Sequence, residues 1–165
     1  MTPDSRSGGL QRGDRAPDFA LSDQRMSTTR LSDYRGRKLL IVFFPLTFTS
    51  VCGGELTSLR DELPDFVGED RAVVAISTDT SAVHRAFDER EFLGFPLLSD
   101  FWPHGEVAKA YGVFDERTGL AQRGTFVVDE GGIVQWSTTS AMADARSTDD
   151  YREALATFGD RAMRA

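Results

Sequence analysis

A continuous apolar run, Leu39–Phe44, leads directly into Pro45 and then into a stretch with helical spacing. The run is short and rich in branched and aromatic side chains, which predicts a buried strand. Pro45 ends this strand because proline has no backbone N–H to donate to a neighbouring strand. Apolar residues then recur at the spacing of one helix face, at Leu56, Leu59, Leu63 and Phe66. The turn between strand and helix is therefore expected at the mouth of a sheet.

This turn carries Cys52, the only cysteine of the 165-residue chain. Thr49 and Ser50 are both candidate N-caps, so Cys52 is expected in or beside the first helical turn. There, unpaired backbone N–H groups and the positive end of the helix dipole favour a thiolate over a neutral thiol. Most lone cysteines are small buried apolar side chains without chemistry. The position at a strand end, where open α/β folds bind ligands, favours a reactive thiol instead.

The rest of the chain predicts further strands and helices in an alternating order. Ala72–Ser77 is a second buried strand, and the strand–helix–strand unit favours parallel pairing with a right-handed crossover. The other predicted elements are a hairpin at 18–21 and 27–31, helices at 79–92 and 106–111, a strand at 95–99, a hairpin at 124–128 and 133–137, and a final helix from Ser147 or Thr148 to Phe158. This order predicts an α/β, thioredoxin-like fold with a central mixed sheet flanked by helices and an N-terminal β-hairpin.

Boundaries and buried faces are also predicted. Residues 1–12 are expected to be a flexible tail and residues 13–165 a single domain. The helix after Cys52 is expected to end between Phe66 and Gly68, with Pro64 straining its last turn. One side of the second helix is expected to carry Val83, Ala86, Phe87 and Arg90, and the inner face of the last helix Tyr151, Leu155 and Phe158.

Composition narrows the class of protein. A net charge of -7 argues against nucleic acid as the main partner, because phosphate binding needs a basic surface. No apolar run approaches the ~20 residues of a membrane helix, and the first residues do not form a signal peptide. One cysteine excludes an intramolecular disulfide, and we expect a reducing, cytoplasmic location. His84 and His104 show no ligand spacing, so no metal and no other cofactor is expected.

The segment around Cys52 also fits a known pattern, Pro45-x-x-x-Thr49-x-x-Cys52-x-x-Glu55. Further matching blocks are Pro96–Gly105, Ala110–Phe114 and Arg123–Asp129. With these blocks in this order, the chain resembles the peroxiredoxins, and in particular the one-cysteine alkyl hydroperoxide reductase E type found in actinobacteria. The resemblance runs from about Gly13 to about Trp136.

The resemblance implies a role for each residue of the pattern. Cys52 is the nucleophile that attacks a peroxide and becomes a sulfenic acid. The Thr49 hydroxyl contacts a bound peroxide oxygen as well as the sulfur; the alternative is a plain N-cap, and the two roles are compatible. Pro45 shields the cysteine from water, or simply ends the strand. Arg123 is the cation that favours the thiolate and stabilises the breaking bond, and only the resemblance places it near Cys52. Glu55 holds an arginine in place, or is a first-turn acid on the helix dipole.

The chain has no second thiol to resolve a sulfenic acid. The resemblance therefore implies an external reductant, either mycothiol with a mycoredoxin or a thioredoxin, and a homodimer. The substrate is expected to be hydrogen peroxide, an organic hydroperoxide or peroxynitrite. The alternatives are a peroxide-sensing relay protein with slow turnover and a thioredoxin-like interaction module with an inert cysteine.

Gly53 and Gly54 are unusual inside a helix, where glycine costs about 1 kcal/mol relative to alanine. Either the backbone approaches another group closely at this point, or the turn is built to loosen.

Overall fold

The computed structural model describes residues 10–140 and 146–164, with side chains described as far as residue 156. The strands of this described part are β1 Ala20–Ser22, β2 Thr28–Arg30, β3 Lys38–Phe43, β4 Arg71–Ser77, β5 Leu97–Ser99, β6 Phe114–Asp115, β7 Leu120–Ala121, β8 Arg123–Val128 and β9 Val134–Ser140. Seven of them form the main sheet in the order β2-β1-β5-β4-β3-β8-β9, and β6 and β7 form a small separate hairpin. The helices are α1 Ser50–Asp61, α2 Ser81–Glu91, α3 Glu106–Ala110 and α4 Thr148–Arg164.

The predicted α/β fold with a mixed sheet is confirmed. Strand β3 pairs in parallel with β4 and antiparallel with β8, and β1 and β2 form the predicted N-terminal hairpin. All six residues of β3 are buried. A strand buried on both faces reads as a continuous apolar run, which explains the pattern from Leu39 onward.

The two faces of β3 enter two different parts of the core. Ile41 and Phe43 belong to a cluster with Tyr111 and Phe126, where the Phe43 and Tyr111 ring centroids are 5.3 Å apart. The alternate residues Leu40, Val42 and Phe44 belong to a second cluster, which contains Leu56 and Leu59 of α1 as well as Cys52. Alternation along one strand therefore fixes which face of the sheet carries the cysteine-bearing helix.

Two helix predictions need correction. Helix α1 ends at Asp61, and a 3-10 turn at Leu63–Asp65 follows it. Proline lacks the N–H for an α-helical hydrogen bond and disfavours helical backbone in the residue before it, so Pro64 ends the helix early. Helix α2 buries Ser81, His84 and Phe87, whereas Ala86 and Arg90 of the predicted face are exposed. The buried face of α2 thus includes a polar residue, His84, which the spacing of apolar residues did not predict to be buried.

Other boundaries differ by a few residues. The β6–β7 hairpin was not predicted, because strands of two residues show no alternation. Tyr151 and Leu155 of α4 are buried as predicted, while the Phe158 side chain lies outside the described part. Residues 1–9 of the predicted tail lie outside the described residues. Leu10 packs against the core, and its carbonyl accepts a hydrogen bond from Ser137 Oγ at 2.9 Å. The chain therefore contacts the domain three residues before the predicted domain start at residue 13.

Candidate active site around Cys52

Cys52 is the third residue of α1, and the residue is 1% exposed. Of the two candidate caps, Thr49 is the N-cap residue, and its carbonyl accepts the first helical hydrogen bond from Gly53 N at 2.8 Å. The sulfur therefore lies in the first turn of the helix, where backbone N–H groups have no helical acceptor. It is also shielded from bulk solvent.

Arg123 donates a hydrogen bond from Nη2 to Cys52 Sγ at 3.2 Å. Arg123 is the first residue of β8, and Val42 near the end of β3 pairs with Thr125. Because β3 and β8 are antiparallel, the beginning of β8 lies at the end of β3 where the turn to α1 starts. The guanidinium is fully buried, with 1% of the residue exposed. Strand pairing thus brings together two residues that are 71 positions apart in the chain.

Glu55 lies about one helical turn after Cys52 and is also buried. Its Oε1 accepts a hydrogen bond from Arg123 Nη1. A second arginine, Arg146, donates to the same carboxylate from Nη2 to Oε1 at 2.9 Å. Of the two readings of Glu55 from sequence, the geometry matches a carboxylate that holds an arginine in place. It holds two.

Arg146 was not identified from the sequence. It lies two residues before α4 and donates from Nη1 to Gly124 O at 3.1 Å and to Thr125 Oγ1 at 3.0 Å. Its bonds to Glu55 span 91 positions of the chain, and no local spacing marks one arginine among 17 for such a contact. The only related signal was the predicted start of the last helix at Ser147 or Thr148.

The described part of this cluster places a cation directly against the sulfur. Two buried guanidinium groups contact the Glu55 carboxylate, and one of them, that of Arg123, also contacts the Cys52 sulfur. A guanidinium beside a sulfur and the N-terminus of a helix both interact more favourably with a thiolate than with a neutral thiol.

The Thr49 hydroxyl does not cap α1 with its side chain. Its Oγ1 donates to Leu46 O at 3.0 Å instead, and the residue is exposed. A hydroxyl whose hydrogen is engaged in this way presents its oxygen lone pairs as acceptors. Thr49 thus provides an exposed acceptor three residues before the buried thiol.

Pro45 is buried directly after the last hydrogen-bonded residue of the central strand. Phe44 N donates to Ile76 O at 3.0 Å, and Pro45 has no N–H with which to continue. The strand-ending role of Pro45 is visible in the backbone. Its burial is compatible with the shielding role as well.

The described residues contain no group of three or more histidine, cysteine, aspartate or glutamate side chains arranged to hold a metal ion. Within the same residues, no helix has the length and apolar character needed to cross a membrane.

The sequence and the fold of this chain were both found to be similar to those of known proteins. Residues 12–137 match the AhpC/TSA family. The chain is 48% identical over 148 residues to alkyl hydroperoxide reductase E of Mycobacterium tuberculosis, covering 89% of this chain and 97% of that protein. It is 35% identical over 154 residues to a chloroplastic 2-Cys peroxiredoxin of Spinacia oleracea, covering 87% of this chain and 57% of that one. The crystal structure of a reduced Plasmodium vivax 2-Cys peroxiredoxin superposes with a TM-score of 0.84 at 24% identity, covering 93% of this chain and 84% of that one, and supports the fold.

Proposed function

The chain belongs to the AhpC/TSA family and is a peroxiredoxin, a thiol-dependent peroxidase, and we propose that Cys52 is the residue that reacts with the peroxide. The observation that carries this proposal is the 3.2 Å contact between Arg123 Nη2 and Cys52 Sγ in the first turn of α1. The contact supplies the cation that a thiolate needs. The same guanidinium is in place to bind an oxygen that leaves with negative charge.

The proposed reaction begins with the Cys52 thiolate. The sulfur attacks one peroxide oxygen, an S–O bond forms and the O–O bond breaks. The sulfur is oxidised by two electrons to a sulfenic acid, and the departing oxygen takes up a proton as water or an alcohol. Arg123 stabilises the charge that develops on that oxygen.

Thr49 and Pro45 are assigned supporting roles. The Thr49 oxygen, whose hydrogen is held by Leu46 O, accepts a hydrogen bond from the peroxide O–H and so orients the substrate. Pro45 limits water near the sulfur with a buried ring that has no backbone donor. Glu55 keeps Arg123 in its place and is a positioning residue.

The sulfenic acid requires a thiol from outside the chain, because Cys52 is the only cysteine. An external thiolate attacks the sulfenic sulfur, water leaves and a mixed disulfide forms, which a second thiol then breaks. The absence of a second cysteine and the 48% identity to a mycobacterial protein support mycothiol with a mycoredoxin as the reductant, with thioredoxin as the other candidate.

Access by that thiol needs a local opening, because Cys52 is 1% exposed. Among the described residues, a methyl group at Gly54 would meet nothing within 4 Å, and one at Gly53 would make only an ordinary contact of 3.8 Å with the Phe87 ring. A close backbone approach therefore does not explain the glycine pair. We assign it to a first turn of α1 that loosens when Cys52 is oxidised.

A homodimer and a cytoplasmic location are further parts of the proposal. Phe48 and Trp102 are 46% and 79% exposed, which is unusual for large aromatic side chains. Exposed aromatic residues of this kind are typical of protein interfaces. A single free cysteine suits a reducing compartment. A net charge of -7 suits a partner other than nucleic acid.

Stopped-flow mixing of the reduced protein with hydrogen peroxide, a fatty-acid hydroperoxide and peroxynitrite, followed through Trp102 and Trp136 fluorescence, tests the proposal. Wild type should be oxidised and Cys52→Ser should not. Intact-mass measurement after peroxide and thiol should show a one-to-one adduct at Cys52. Comparable oxidation of Cys52→Ser would overturn the assignment, and a single oxidation without catalytic turnover would favour the sensing function.

A further inference from the structure

A second buried polar cluster lies next to the Cys52 site, where β4 ends and α2 begins. At its centre, Asp79 Oδ2 accepts three hydrogen bonds: from Thr47 N at 2.8 Å, Thr47 Oγ1 at 2.5 Å and Ser77 Oγ at 3.0 Å. Thr47 is buried, and it lies in the turn between Pro45 and Cys52. A carboxylate from the loop between β4 and α2 thus binds both the backbone and the side chain of Thr47 in the turn before Cys52.

Asp79 is itself held by rigid elements. Its backbone N donates to Ser77 Oγ at 3.1 Å, and its carbonyl accepts from Ser99 Oγ of β5 at 2.6 Å. His84 Nε2 is 2.6 Å from Ser77 Oγ. If Nε2 carries the hydrogen and donates to Ser77, the serine hydroxyl is free to donate its own hydrogen to Asp79. The anchor is therefore built on β4, β5 and α2 and not on the turn that it holds.

Phe48, which follows Thr47 in the turn, has a backbone conformation that needs support from its surroundings. Phe48 has φ 64°, in the left-handed region that a non-glycine residue adopts only under constraint. Its ring contacts the Phe87 ring edge to face at 5.1 Å, and the Arg90 guanidinium lies 5.0 Å from its centroid. The turn is thus fixed by Asp79 before Phe48 and by α2 at Phe48 itself.

The position of this turn determines the geometry of the reaction. Thr49, the N-cap of α1, follows Phe48 directly, and Cys52 is in the first helical turn, whereas Arg123 belongs to β8. A shift of the turn moves the sulfur and the Thr49 oxygen together, but leaves Arg123 behind. Sub-ångström placement of reacting groups decides reaction rates.

We propose that Asp79 is a positioning residue for the peroxidase reaction: its bonds to Thr47 fix the turn that sets Cys52 and Thr49 against Arg123. This inference rests on the proposed role of Cys52. It adds a residue that no part of the Pro45–Glu55 pattern contains.

The test compares two rates in variants that keep side-chain shape. The first is the second-order rate with hydrogen peroxide at a pH where the thiol is fully ionised. The second is alkylation by iodoacetamide, which needs a thiolate but no peroxide geometry. Asp79→Asn and Thr47→Val should slow the peroxide reaction roughly tenfold or more, with alkylation unchanged or faster. Thr47→Ser, which keeps both bonds to Asp79, should retain the wild-type rate.

Asp100→Asn is the matched control. Asp100 is a buried aspartate that accepts from Val107 N at 3.1 Å and Ala108 N at 2.8 Å, at the start of α3. The double variant Thr47→Val/Asp79→Asn should be no slower than the slower single variant, because both remove the same contact. The proposal is overturned if Asp79→Asn is no slower than Asp100→Asn, if Thr47→Ser is as slow as Thr47→Val, or if both rates fall by the same factor. Oxidation of Cys52→Ser in the same assay would instead overturn the proposed function.

Discussion

Arg146 surrounds the Glu55 carboxylate with three donors. Its backbone N and Nε donate to Oε2 at 2.5 and 3.0 Å, and its Nη2 donates to Oε1 at 2.9 Å. Glu55 is thereby committed to two arginines, since Arg123 donates to the same carboxylate. The carboxylate that contacts Arg123 beside the Cys52 sulfur is therefore itself held by Arg146.

These contacts predict opposite effects of two substitutions. Arg146→Met removes a buried cation from the cluster around Cys52, so the midpoint of thiolate formation should move to higher pH. Glu55→Gln removes a carboxylate from the same cluster, so the midpoint should move to lower pH. Ultraviolet absorbance of the thiolate across a pH titration measures both. Arg85→Met is the control, because Arg85 pairs with Glu89 on the exposed face of α2. Equal directions in the two test variants would contradict this electrostatic account.

His84 predicts a pH dependence of stability. Burial lowers the pKa of His84 from 6.5 to about 4, while the nearby Asp79 carboxylate and the backbone at Leu97 oppose part of that shift. At a pH between these two values, His84 therefore carries a proton in the unfolded chain but not in the folded chain. The contribution of neutral His84 to the free energy of unfolding is on the order of 3 kcal/mol. It is fully present above about pH 6.5 and is lost as the pH falls toward about 4.

Urea unfolding of wild type and His84→Gln at several pH values measures this difference. Glutamine does not titrate and keeps an N–H that can reach Ser77 Oγ. Wild type should lose more stability than His84→Gln on acidification. His104→Gln, at an exposed position, should follow the wild-type curve. Parallel curves for wild type and His84→Gln would show that His84 is not responsible.

Gly54→Ala should slow reduction of oxidised Cys52 more than it slows oxidation. Alanine stabilises a helix interior by about 1 kcal/mol relative to glycine, and a methyl group at Gly54 has no atom of the described chain within 4 Å. The substitution therefore disfavours only the opened turn. Single-turnover rates with peroxide and then with a small thiol separate the two steps. Ser58→Ala, at an exposed position later in α1, is the control and should affect neither step. A reduction rate in Gly54→Ala equal to that of wild type would contradict the proposed opening of the turn.

The parts of the fold that the sequence predicted are those encoded locally. The apolar run that became β3, the second run that became β4 and the helical spacing after Cys52 each reflect residues close in the chain. The same holds for Pro45, whose chemistry ends a strand wherever it stands. The end of α1 was misplaced because apolar spacing continues through Leu63 and Phe66 after Pro64 has broken the helix.

The site was only partly predictable, because its contacts cross the chain. Arg123 was identified through the family pattern and not through its spacing from Cys52. Arg146 and the Thr47–Asp79 contact left no local signal, since each contact joins residues that are far apart in the chain, by 91 and 32 positions respectively. His84 was assigned no core position because a buried polar side chain is stable only with a partner, here Ser77, that the sequence does not reveal.

The central claim, that Arg123 activates Cys52 for attack on a peroxide, is tested most directly by the pH dependence of the second-order rate with hydrogen peroxide. Arg123→Ala should move the midpoint to higher pH and remain slower at a pH where Cys52 is fully ionised, because the guanidinium also binds the departing oxygen. Arg123→Lys should recover part of the midpoint shift and less of the rate, since lysine keeps the charge and loses the planar fork. An Arg123→Ala protein with the midpoint and the high-pH rate of wild type would contradict the account.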